Sequence, residues 1–544
     1  MKRGISMMLL VSAGSLVLGT GFWFGKKDPA SKDARFIVRR PEVPRPISPL
    51  VYGMAAAPGP VLRTLRVPLN RWGGNTASRY NWQLANAWNT GSDWFFMNVA
   101  IEADAWQGFL RRTRDAGATA ILTLPLVGYV ARDTHSHSFS VERYGPQQKH
   151  APGRPDAGNG VLPDGRPLYG NDPGDANRRA DPEFVAAWLR SVKRLFPDLA
   201  TDGRLIVALG NEPMLWNKTH RDVHPEPVTY DEYLARFIAM ARMVRRELPG
   251  VKLAGPELWG WPALFESARD RDEGRGLDRK AHGKTPFLPW FLERLKAHEE
   301  THGECLLDIV TVHYYPQAEG VHSEQATPGH QLRRIAATRS LFDPSYKDPS
   351  WIDRRIRLVP RLREWIADAY PGRMLGITEY NWGAENDISG AIALADALGI
   401  MGQQQVDLAC YWTTPPEASP ASRAYALYRN ADGRGAAFGN RAWGVRWNGD
   451  GKQQYEACAL YAAELPEREI LTLLAINKTL QARKLLVRTE SGPWRFKDGF
   501  MLSAGATNGI ERIPDTSLLA IEETNLMLLM QPRCLYHLRL ELRR

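Results

Sequence analysis

Short apolar runs alternate with amphipathic segments between about residue 50 and residue 435. Eight of these runs have the length of a buried strand, and most of the segments between them have the spacing of a helix. The predicted strands are residues 50–54, 66–71, 119–126, 205–209, 251–254, 308–313, 374–378 and 407–412. Strands that alternate with helices are typical of a parallel α/β fold.

The clearest predicted helix covers residues 229–248. Thr229 and Glu232 form a capping box at its start, apolar residues then follow at helical spacing, and Pro249-Gly250 ends it. Eight such βα units close naturally into a (β/α)₈ TIM barrel, which we assign to residues 49–435. Residues 129–181 lack periodicity and are rich in Gly, Pro, Asn and Asp. A connection this long is usually functional, and because it follows the third strand it should lie on the catalytic face.

The pattern changes after about residue 436. Short β-rich runs follow one another without helices, at residues 458–463, 470–476, 484–488, 518–521, 526–530 and 535–542. We therefore predict an all-β sandwich domain over residues 436–544. The N-terminal segment, residues 28–48, is expected to add a strand to it from residues 34–48.

The first 27 residues are expected to lie outside the folded domains. Lys2 and Arg3 precede an apolar run over residues 5–24, and Lys26-Lys27 follow it. This is the pattern of a secretory signal peptide, or of an uncleaved signal anchor that holds the chain at a membrane. The rest of the chain is therefore expected to work outside the cytoplasm, either secreted or anchored.

Composition narrows the classes of function. The formal net charge is +10, but Lys and Arg are scattered without a basic block, so a nucleic-acid partner is not predicted. The four Cys lie far apart at 305, 410, 458 and 534, and the absence of a C-x-x-C spacing disfavours a zinc site. Cys305 and Cys410 are interpreted as small buried hydrophobes, and disulfide pairing is left open. The 18 Trp are many for this length and include candidates for stacking on sugar rings.

Candidate chemistry lies where the predicted strands end, because barrel active sites are built at the carboxyl ends of the strands. The fourth strand ends in LGNEP and the seventh in ITEYNWG, which places Glu212 and Glu379 at the rim. Two carboxylates facing one cleft are what glycoside hydrolysis requires: one protonates the leaving oxygen, and the other attacks the sugar or activates water. Glu257, in GPELWGW, also ends a strand. It is interpreted either as a rival acid or as a group that holds a neighbouring side chain.

Further candidates for substrate binding flank these carboxylates. Asn211, His313, Tyr315 and Trp412 end the fourth, sixth and eighth strands, and Arg71, Asn75, Tyr80 and Trp82 come from NRWGGNTASRYNWQ after the second. Arg71 is expected to keep Glu379 charged, and Asn75, Tyr80 and Trp82 to form a sugar-binding wall. Trp82 has the alternative of packing beneath its loop, Trp412 that of a core residue, and Tyr315 that of packing at its strand end.

Several long motifs resemble glycoside hydrolase family 44 and occur in that family's order over roughly residues 35–540. They are RWGGNTASRYNWQ, GSDWFF, YGPQQ, DAGNGV, GNEPMLWNKTHRDVHPEPVTYDEY and ITEYNWG. The resemblance implies a barrel with a β-sandwich and a retaining endo-β-1,4-glucanase, in many members one that also acts on xyloglucan. It further implies that Glu212 is the acid/base and Glu379 the nucleophile.

The resemblance also bears on cofactors and partners. No cofactor is expected for the chemistry. Family members hold calcium or other structural ions, but no EF-hand-like run of ligands occurs here, so a structural ion is left open and no metal ligand is assigned. The expected partner is a soluble or amorphous β-glucan or xyloglucan, and the expected state is a monomer. The alternatives are a glucan-binding protein without turnover, or a xylanase, mannanase or transglycosylase that uses the same carboxylates.

Overall fold

The computed structural model describes residues 34–103, 105–448, 454–505, 509–514, 517–522 and 524–543. The predicted signal peptide or anchor, residues 1–27, lies outside these ranges. Within them, no helix is both long enough and apolar enough to cross a bilayer.

Eight parallel strands form a closed barrel, which confirms the predicted fold class. They are β1 (Gly53–Ala55), β2 (Leu69–Trp72), β3 (Thr119–Leu124), β4 (Leu205–Leu209), β5 (Lys252–Leu258), β6 (Ile309–Tyr314), β7 (Met374–Tyr380) and β8 (Leu408–Tyr411). Neighbours in sequence pair in parallel, and β8 closes the ring by pairing with β1. All eight strands overlap the predicted runs, but in the first run Pro49–Tyr52 forms a 3₁₀ turn and only the end of the run is a strand.

Helices surround the barrel. They are α1 (Gly59–Thr64), α2 (Ala105–Asp115), α3 (Pro182–Leu195), α4 (Tyr230–Glu247), α5 (Phe287–His302), α6 (Pro328–Ala337), α7 (Leu358–Ala369), α8 (Ile388–Gln403) and α9 (Pro420–Arg429). Shorter α-helical turns lie at Val141–Tyr144, Pro197–Thr201, Trp216–Thr219, Ala268–Glu273, Leu277–Ala281 and Gln454–Ala457. Thr229 caps α4 as predicted, since its side chain accepts a hydrogen bond from the backbone N–H of Glu232.

The barrel interior is apolar at one end and polar at the other. Residues near the amino ends of the strands, among them Leu69, Ile121, Ile206 and Leu408, form a compact apolar cluster. The polar and charged side chains lie at the carboxyl ends, where the chemistry of this architecture is located.

The connections after β2 and β3 build small sheets of their own at this carboxyl end. Strands Tyr80–Asn81, Ala87–Asn89 and Asn98–Ala100 form one sheet after β2. In the long connection after β3, Tyr129–Ala131 pairs with Asn177–Arg179, and His150–Ala151 pairs with Arg154–Gly158. The connection predicted to lack periodicity is therefore ordered, as two short ribbons.

The remaining strands form two sheets that share one apolar core. The five-stranded sheet has the order Gly444–Trp447, Ala34–Arg39, Arg483–Thr489, Asn525–Met530, Leu518–Glu522. The seven-stranded sheet has the order Arg45–Pro46, Arg441–Ala442, Cys458–Leu465, Ile470–Asn477, Cys534–Leu542, Trp494–Leu502, Glu511–Arg512. The seven-stranded sheet is antiparallel, and the five-stranded sheet is antiparallel except where Ala34–Arg39 pairs in parallel with Arg483–Thr489. These two sheets are the predicted sandwich, whereas the domain boundaries given above stay predictions.

The sequence pattern missed the strand Gly444–Trp447 and the two-residue strands Arg441–Ala442 and Glu511–Arg512. The longest of the missed sandwich strands is Trp494–Leu502. Its alternation is broken by charged residues and by a register shift between Phe496 and Asp498 where it pairs with Cys534–Leu542. A bulge of this kind inserts a residue and reverses the face of those that follow, which hides a strand from a period-two search.

Helix α8 connects the barrel to the sandwich. Every residue from Ile388 to Gly402 is buried, so this helix has no solvent-facing stripe. Asp396 on α8 pairs with Lys478 at 2.6 Å and accepts a hydrogen bond from Tyr461 at 2.7 Å, with both charged groups almost fully buried. Removal of one partner of such a buried pair leaves an uncompensated charge, so this contact fixes how the two parts meet. The four Cys are free thiols.

Candidate active site

Five strand ends bring five ionisable side chains together at the mouth of the barrel. Arg71 comes from β2, Glu212 follows β4, Glu257 lies on β5, His313 on β6 and Glu379 on β7. One oxygen each of Glu212 and Glu379 and one ring nitrogen of His313 lie within 4.8 Å of one another. Residues far apart in sequence thus meet because parallel strands end on the same edge of the barrel.

Arg71 is the centre of this cluster. Its side chain is fully buried and donates to Glu379 Oε1 at 2.8 Å, to Glu257 Oε2 at 2.7 Å and to Asn211 Oδ1 at 3.1 Å. Burial lowers the pKa of Arg71, but the neighbouring Glu257 and Glu379 outweigh this effect and raise it. The guanidinium therefore stays charged and ties two strand-end carboxylates together.

The Gly-Gly pair after Arg71 leaves room for two large side chains. A Cβ atom on Gly73 would lie 2.3 Å from the Arg71 guanidinium carbon. A Cβ on Gly74, whose φ is +85°, would lie 2.4 Å from the Trp412 ring. The Arg71 guanidinium in turn lies 5.8 Å from the centre of the Trp412 ring, within the range of a cation–π contact. The two glycines are therefore required by close packing against the site and, at Gly74, by the left-handed backbone.

Glu257 is fully buried and bound on two sides. Its Oε2 accepts from Arg71 at 2.7 Å and lies 3.2 Å from His313 Nε2. Burial raises the pKa of Glu257, but the charge of Arg71 and hydrogen bonds from His313 and Thr311 outweigh it and lower the pKa to about 2. An acid with so low a pKa cannot hold a proton for a leaving group, so the geometry favours the second interpretation of Glu257, as a positioning group.

Glu212 lies in a different environment. Its backbone is in the left-handed region with φ at +44°, and its N–H donates to the Glu257 carbonyl at 3.0 Å. Burial raises the pKa of Glu212, and the nearby charges of Glu379 and Asp93 raise it further, although His313 opposes them. Strained backbone held by a neighbouring strand end is common at functional sites, and here it aims the carboxyl group into the mouth.

His313 bridges Glu212 and Glu257. Its Nδ1 lies 2.8 Å from Glu212 Oε1, and its Nε2 lies 3.2 Å from Glu257 Oε2. Burial lowers the pKa of His313, but the charge of Glu379 and the hydrogen bonds to Glu212 and Glu257 outweigh it and raise the pKa to about 9. The ring is therefore an imidazolium at neutral pH and donates from both nitrogens.

Glu379 is held by donors on both oxygens. Arg71 donates to Oε1 at 2.8 Å, and the Tyr315 hydroxyl donates to Oε2 at 2.8 Å. The side chain is 6 % exposed, so it reaches the cleft while its orientation stays fixed. Tyr315 thus lies where the sequence placed it, beside the seventh strand end.

A chain of polar groups connects the cluster to the loop after β2. Asn211 donates to Asn75 Oδ1 at 3.2 Å, and Asn75 donates to Asp93 at 3.2 Å. Burial raises the pKa of Asp93, and the charge of Glu379 raises it too. Asp93 lies in the GSDWFF motif but was not predicted as a site residue. Its closeness to the glutamates depends on how the β2 loop folds back, which no local pattern shows.

Two members of the predicted sugar-binding wall lie elsewhere. Tyr80 is 0 % exposed, packs against Trp72 and Trp188, and donates from its hydroxyl to the Ala85 carbonyl at 2.8 Å. The prediction that it contacts a sugar is wrong, because a ring buried on all sides cannot stack on a ligand. Trp82 packs on Phe184 and donates from its indole nitrogen to the Phe184 carbonyl at 2.9 Å, so it too supports the loop.

A second buried arginine comes from the same stretch of sequence. Arg79 is fully buried and pairs with Asp222, at 3.0 Å and 2.9 Å, in the connection after β4. Asp222 also accepts from Ser138 at 2.6 Å, and Arg79 donates to Asn177, both from the connection after β3. This cluster joins three rim loops, and sequence reasoning did not identify it.

The barrel mouth also holds three side chains of the kinds that bind metal ions. Glu212, His313 and Glu379 are close enough to share one ion. However, both ring nitrogens of His313 already face Glu212 and Glu257, and the two oxygens of Glu379 already accept hydrogen bonds from Arg71 and Tyr315. The donor set at the mouth therefore does not fit a metal ion, and a structural ion elsewhere in the chain stays open.

Comparison with known proteins identifies the family. A family model for glycoside hydrolase family 44 matches residues 87–318. Endoglucanase A of Paenibacillus lautus is 30 % identical over an alignment of 439 residues that covers 76 % of this chain and 59 % of that protein. This chain therefore spans less than two thirds of that relative.

Solved structures extend the match to nearly the whole chain. CelM2, described as a bifunctional glucanase-xylanase from a metagenome library, is 35 % identical, with a TM-score of 0.88 over 94 % of this chain and 99 % of CelM2. A Paenibacillus polymyxa xyloglucanase of family 44, solved with xyloglucan, is 25 % identical, with a TM-score of 0.77 over 94 % of this chain and all of that one. Together with the barrel, the sandwich and the paired strand-end glutamates, these matches show that the chain belongs to glycoside hydrolase family 44.

Proposed function

We propose that this protein is a retaining glycoside hydrolase that cleaves internal β-1,4-glucosidic bonds of soluble or amorphous β-glucan or xyloglucan. The observation that carries the proposal is the pair Glu212 and Glu379, which lie close together at the barrel mouth in contrasting environments. Family membership supports the reaction class, and the geometry supports the roles of the two carboxyl groups.

The separation of the carboxyl groups favours retention over inversion. An oxygen of Glu212 and an oxygen of Glu379 lie within 4.8 Å of each other. Retaining enzymes hold their carboxyl groups about 5–5.5 Å apart, whereas inverting enzymes need about 6.5–9.5 Å to admit a water molecule between acid and base. At this short separation no water molecule fits between the two carboxyl groups, and Glu379 can attack the anomeric carbon directly.

Glu212 is suited to the acid/base role. Its Oε1 faces the His313 imidazolium, which can donate to the neutral acid, while its Oε2 has no hydrogen-bond partner among the described residues. The proton can therefore reside on Oε2 and reach the glycosidic oxygen. A raised pKa for Glu212 keeps this proton in place at the pH where Glu379 must be charged.

Glu379 is suited to the nucleophile role. In the first step its carboxylate bonds to the anomeric carbon while the glycosidic bond breaks, and Glu212 gives its proton to the leaving oxygen. In the second step Glu212 takes a proton from water, the water oxygen bonds to the anomeric carbon, and the ester to Glu379 breaks. Arg71 and Tyr315 hold the oxygens of Glu379 throughout.

The substrate class rests on the relatives and on the exposed aromatic rings. The relatives include an endoglucanase, a bifunctional glucanase-xylanase and a xyloglucanase. Trp412 is half-buried beside Arg71, and Trp94, next to Asp93, is exposed. Flat rings beside polar groups form the kind of surface that binds a sugar chain.

A substrate panel tests this proposal. Purified protein is given hydroxyethylcellulose, xyloglucan, xylan and mannan, and the release of reducing ends is measured, with Glu379→Gln as the inactive control. We expect the highest turnover on the glucan or xyloglucan. Faster turnover on xylan or mannan would assign one of the alternative activities. No release from any of the four would support a glucan-binding protein without turnover.

A further inference from the structure

A cavity of about 460 Å³ lies away from the glutamates. It lies between the segment that follows β5 and the segment that precedes α7, and we call it the rim cavity. Its lining is Trp261, Pro262, Phe265, Glu266, Arg279, Trp351, Arg354, Arg355 and Arg361. None of these residues contacts the catalytic cluster, so the rim cavity is a separate feature. Its volume falls within the range of small-molecule sites, about 300–1,000 Å³.

Aromatic rings form one part of the rim cavity. Trp261 and Phe265 pack together with ring centres 4.8 Å apart, and Phe265 also contacts Trp365 of α7. Trp351 is 62 % exposed, which makes it one of the most exposed large apolar side chains among the described residues. An indole presented to solvent at the edge of a cavity offers a face on which the C–H groups of a sugar ring can stack.

Arginine side chains form the other part of the rim cavity. Four arginines line the rim cavity against one acid, Glu266. Arg361 is fixed over Trp261 and Trp365, at 5.2 Å and 5.7 Å, and donates to the backbone carbonyls of Ile356 and Arg355. It therefore has a structural task and helps to shape the wall.

The side chains of Arg354 and Arg355 do not hold the wall of the cavity together. Both side chains are exposed, and neither guanidinium group forms a hydrogen bond or an ion pair with a described residue. The next arginine along the chain, Arg357, is paired with Glu364 at 2.8 Å. Two neighbouring guanidinium groups without partners beside an open cavity provide a planar fork for a carboxylate.

We propose that the rim cavity binds a carboxylate-bearing sugar, a uronic acid residue on an acidic hemicellulose chain. The carboxylate would be held by Arg354 and Arg355, and the sugar ring would lie against Trp351. This site is independent of bond cleavage at Glu212 and Glu379, and it would hold an acid-substituted chain on the same end of the barrel.

Binding by the full chain carrying Glu379→Gln tests this proposal without hydrolysis. The probes are methylglucuronosyl-xylotriose and xylotriose, which share a backbone and differ in the acidic sugar, and affinities are measured by titration calorimetry. Arg354→Gln/Arg355→Gln removes the two free charges. Lys193→Gln/Arg194→Gln is the matched control, because it removes two neighbouring exposed charges from the outside of α3. Thermal melting of each variant checks its fold.

We expect the acidic probe to bind at least 10-fold more tightly than the neutral one. Arg354→Gln/Arg355→Gln should abolish this preference, the control should keep it within 2-fold, and Trp351→Ala should weaken binding of the acidic probe. Equal affinities for the two probes would overturn the proposal, as would a preference that survives the arginine variant or falls equally in the control. Hydrolysis of hydroxyethylcellulose by the corresponding variants with Glu379 restored reports separately on the proposed function.

Discussion

Arg71 and Arg79 come from one 14-residue stretch, and both are buried guanidinium groups that bind carboxylates, yet they differ in what surrounds those carboxylates. Asp222, the partner of Arg79, is 0 % exposed and is enclosed by Ser138 and Asn177. Glu379, the partner of Arg71, is 6 % exposed and opens toward Glu212, which is 16 % exposed. One cluster is closed on all sides, and the other has one open side.

The pKa directions follow the same division. Burial raises the pKa of Asp222, but the charge of Arg79 and the hydrogen bonds around it outweigh burial and lower it. In the open cluster Arg71 binds Glu257 and Glu379 but not Glu212, and the pKa of Glu212 rises. A buried arginine–carboxylate pair therefore does not by itself indicate catalysis. What indicates catalysis in the open cluster is Glu212, a neighbouring acid that the arginine does not bind and whose pKa is raised.

The largest expected effect comes from removing Glu212, and its dependence on the leaving group tests the role of Glu212 as the acid. Glu212→Ala should lower kcat/KM on a β-glucan about 10³-fold, within the range of general acid catalysis. On an aryl cellobioside with a dinitrophenolate leaving group, kcat/KM should fall far less, because that leaving group needs no proton. Equal losses on both substrates, measured by initial rates, would contradict the assignment of Glu212 as the acid.

Arg71→Lys tests whether the open cluster depends on a planar guanidinium. Lysine keeps the charge but cannot bridge Glu257 and Glu379 with a fixed fork. We expect kcat/KM on the glucan to fall about 10²-fold, since a displacement of the nucleophile by about 1 Å has this cost. Activity within 3-fold of the parent would mean that charge alone suffices.

Arg79→Lys is the matched change in the closed cluster. Lysine keeps the charge beside Asp222 but loses the two-pronged hydrogen bond to Asp222 and the contact to Asn177. The loss should destabilise the rim loops by about 2 kcal/mol, as for lost hydrogen bonds to a charged group, and the melting temperature should fall. Activity of the folded protein at 25 °C should stay within about 5-fold of the parent, a change of roughly 1 kcal/mol. A loss of activity as large as that of Arg71→Lys would erase the distinction between the two clusters.

Asp93→Asn should give the smallest effect, a shift in the pH dependence of kcat/KM. The negative charge of Asp93 helps to raise the pKa of Glu212, so its removal should lower that pKa. Glu212 then loses its proton at a lower pH, and the alkaline limb of the kcat/KM profile should move toward acid. The measurement is a pH–rate profile of parent and variant, and an unmoved or alkaline-shifted limb would show that Asp93 does not act on Glu212.

The sequence predicted the barrel well because each strand is a short apolar run with a polar end. That rule also located Glu212, Glu379, His313 and Tyr315, whose positions follow directly from where their strands stop. Asn211 and Arg71 were placed at the rim by the same reasoning, and the structure adds the contact between them.

The remaining features depend on how loops fold back, which no periodicity encodes. Tyr80 was expected to face the cleft, but the loop turns its ring into the core. Asp93 reaches the glutamates through Asn75, and Arg79 meets Asp222 across 143 residues of chain. The rim cavity likewise joins segments around Trp261 and Trp351 that have no common sequence signal.

The most direct test of the two roles is to trap the covalent intermediate. The protein is incubated with a 2-deoxy-2-fluoro-β-cellotrioside that carries a dinitrophenolate leaving group, then digested and analysed by mass spectrometry. We expect one adduct, on the side chain of Glu379 in its peptide, and none in Glu379→Gln. An adduct on Glu212 or Glu257, or turnover of natural glucan with inverted anomeric configuration, would contradict it.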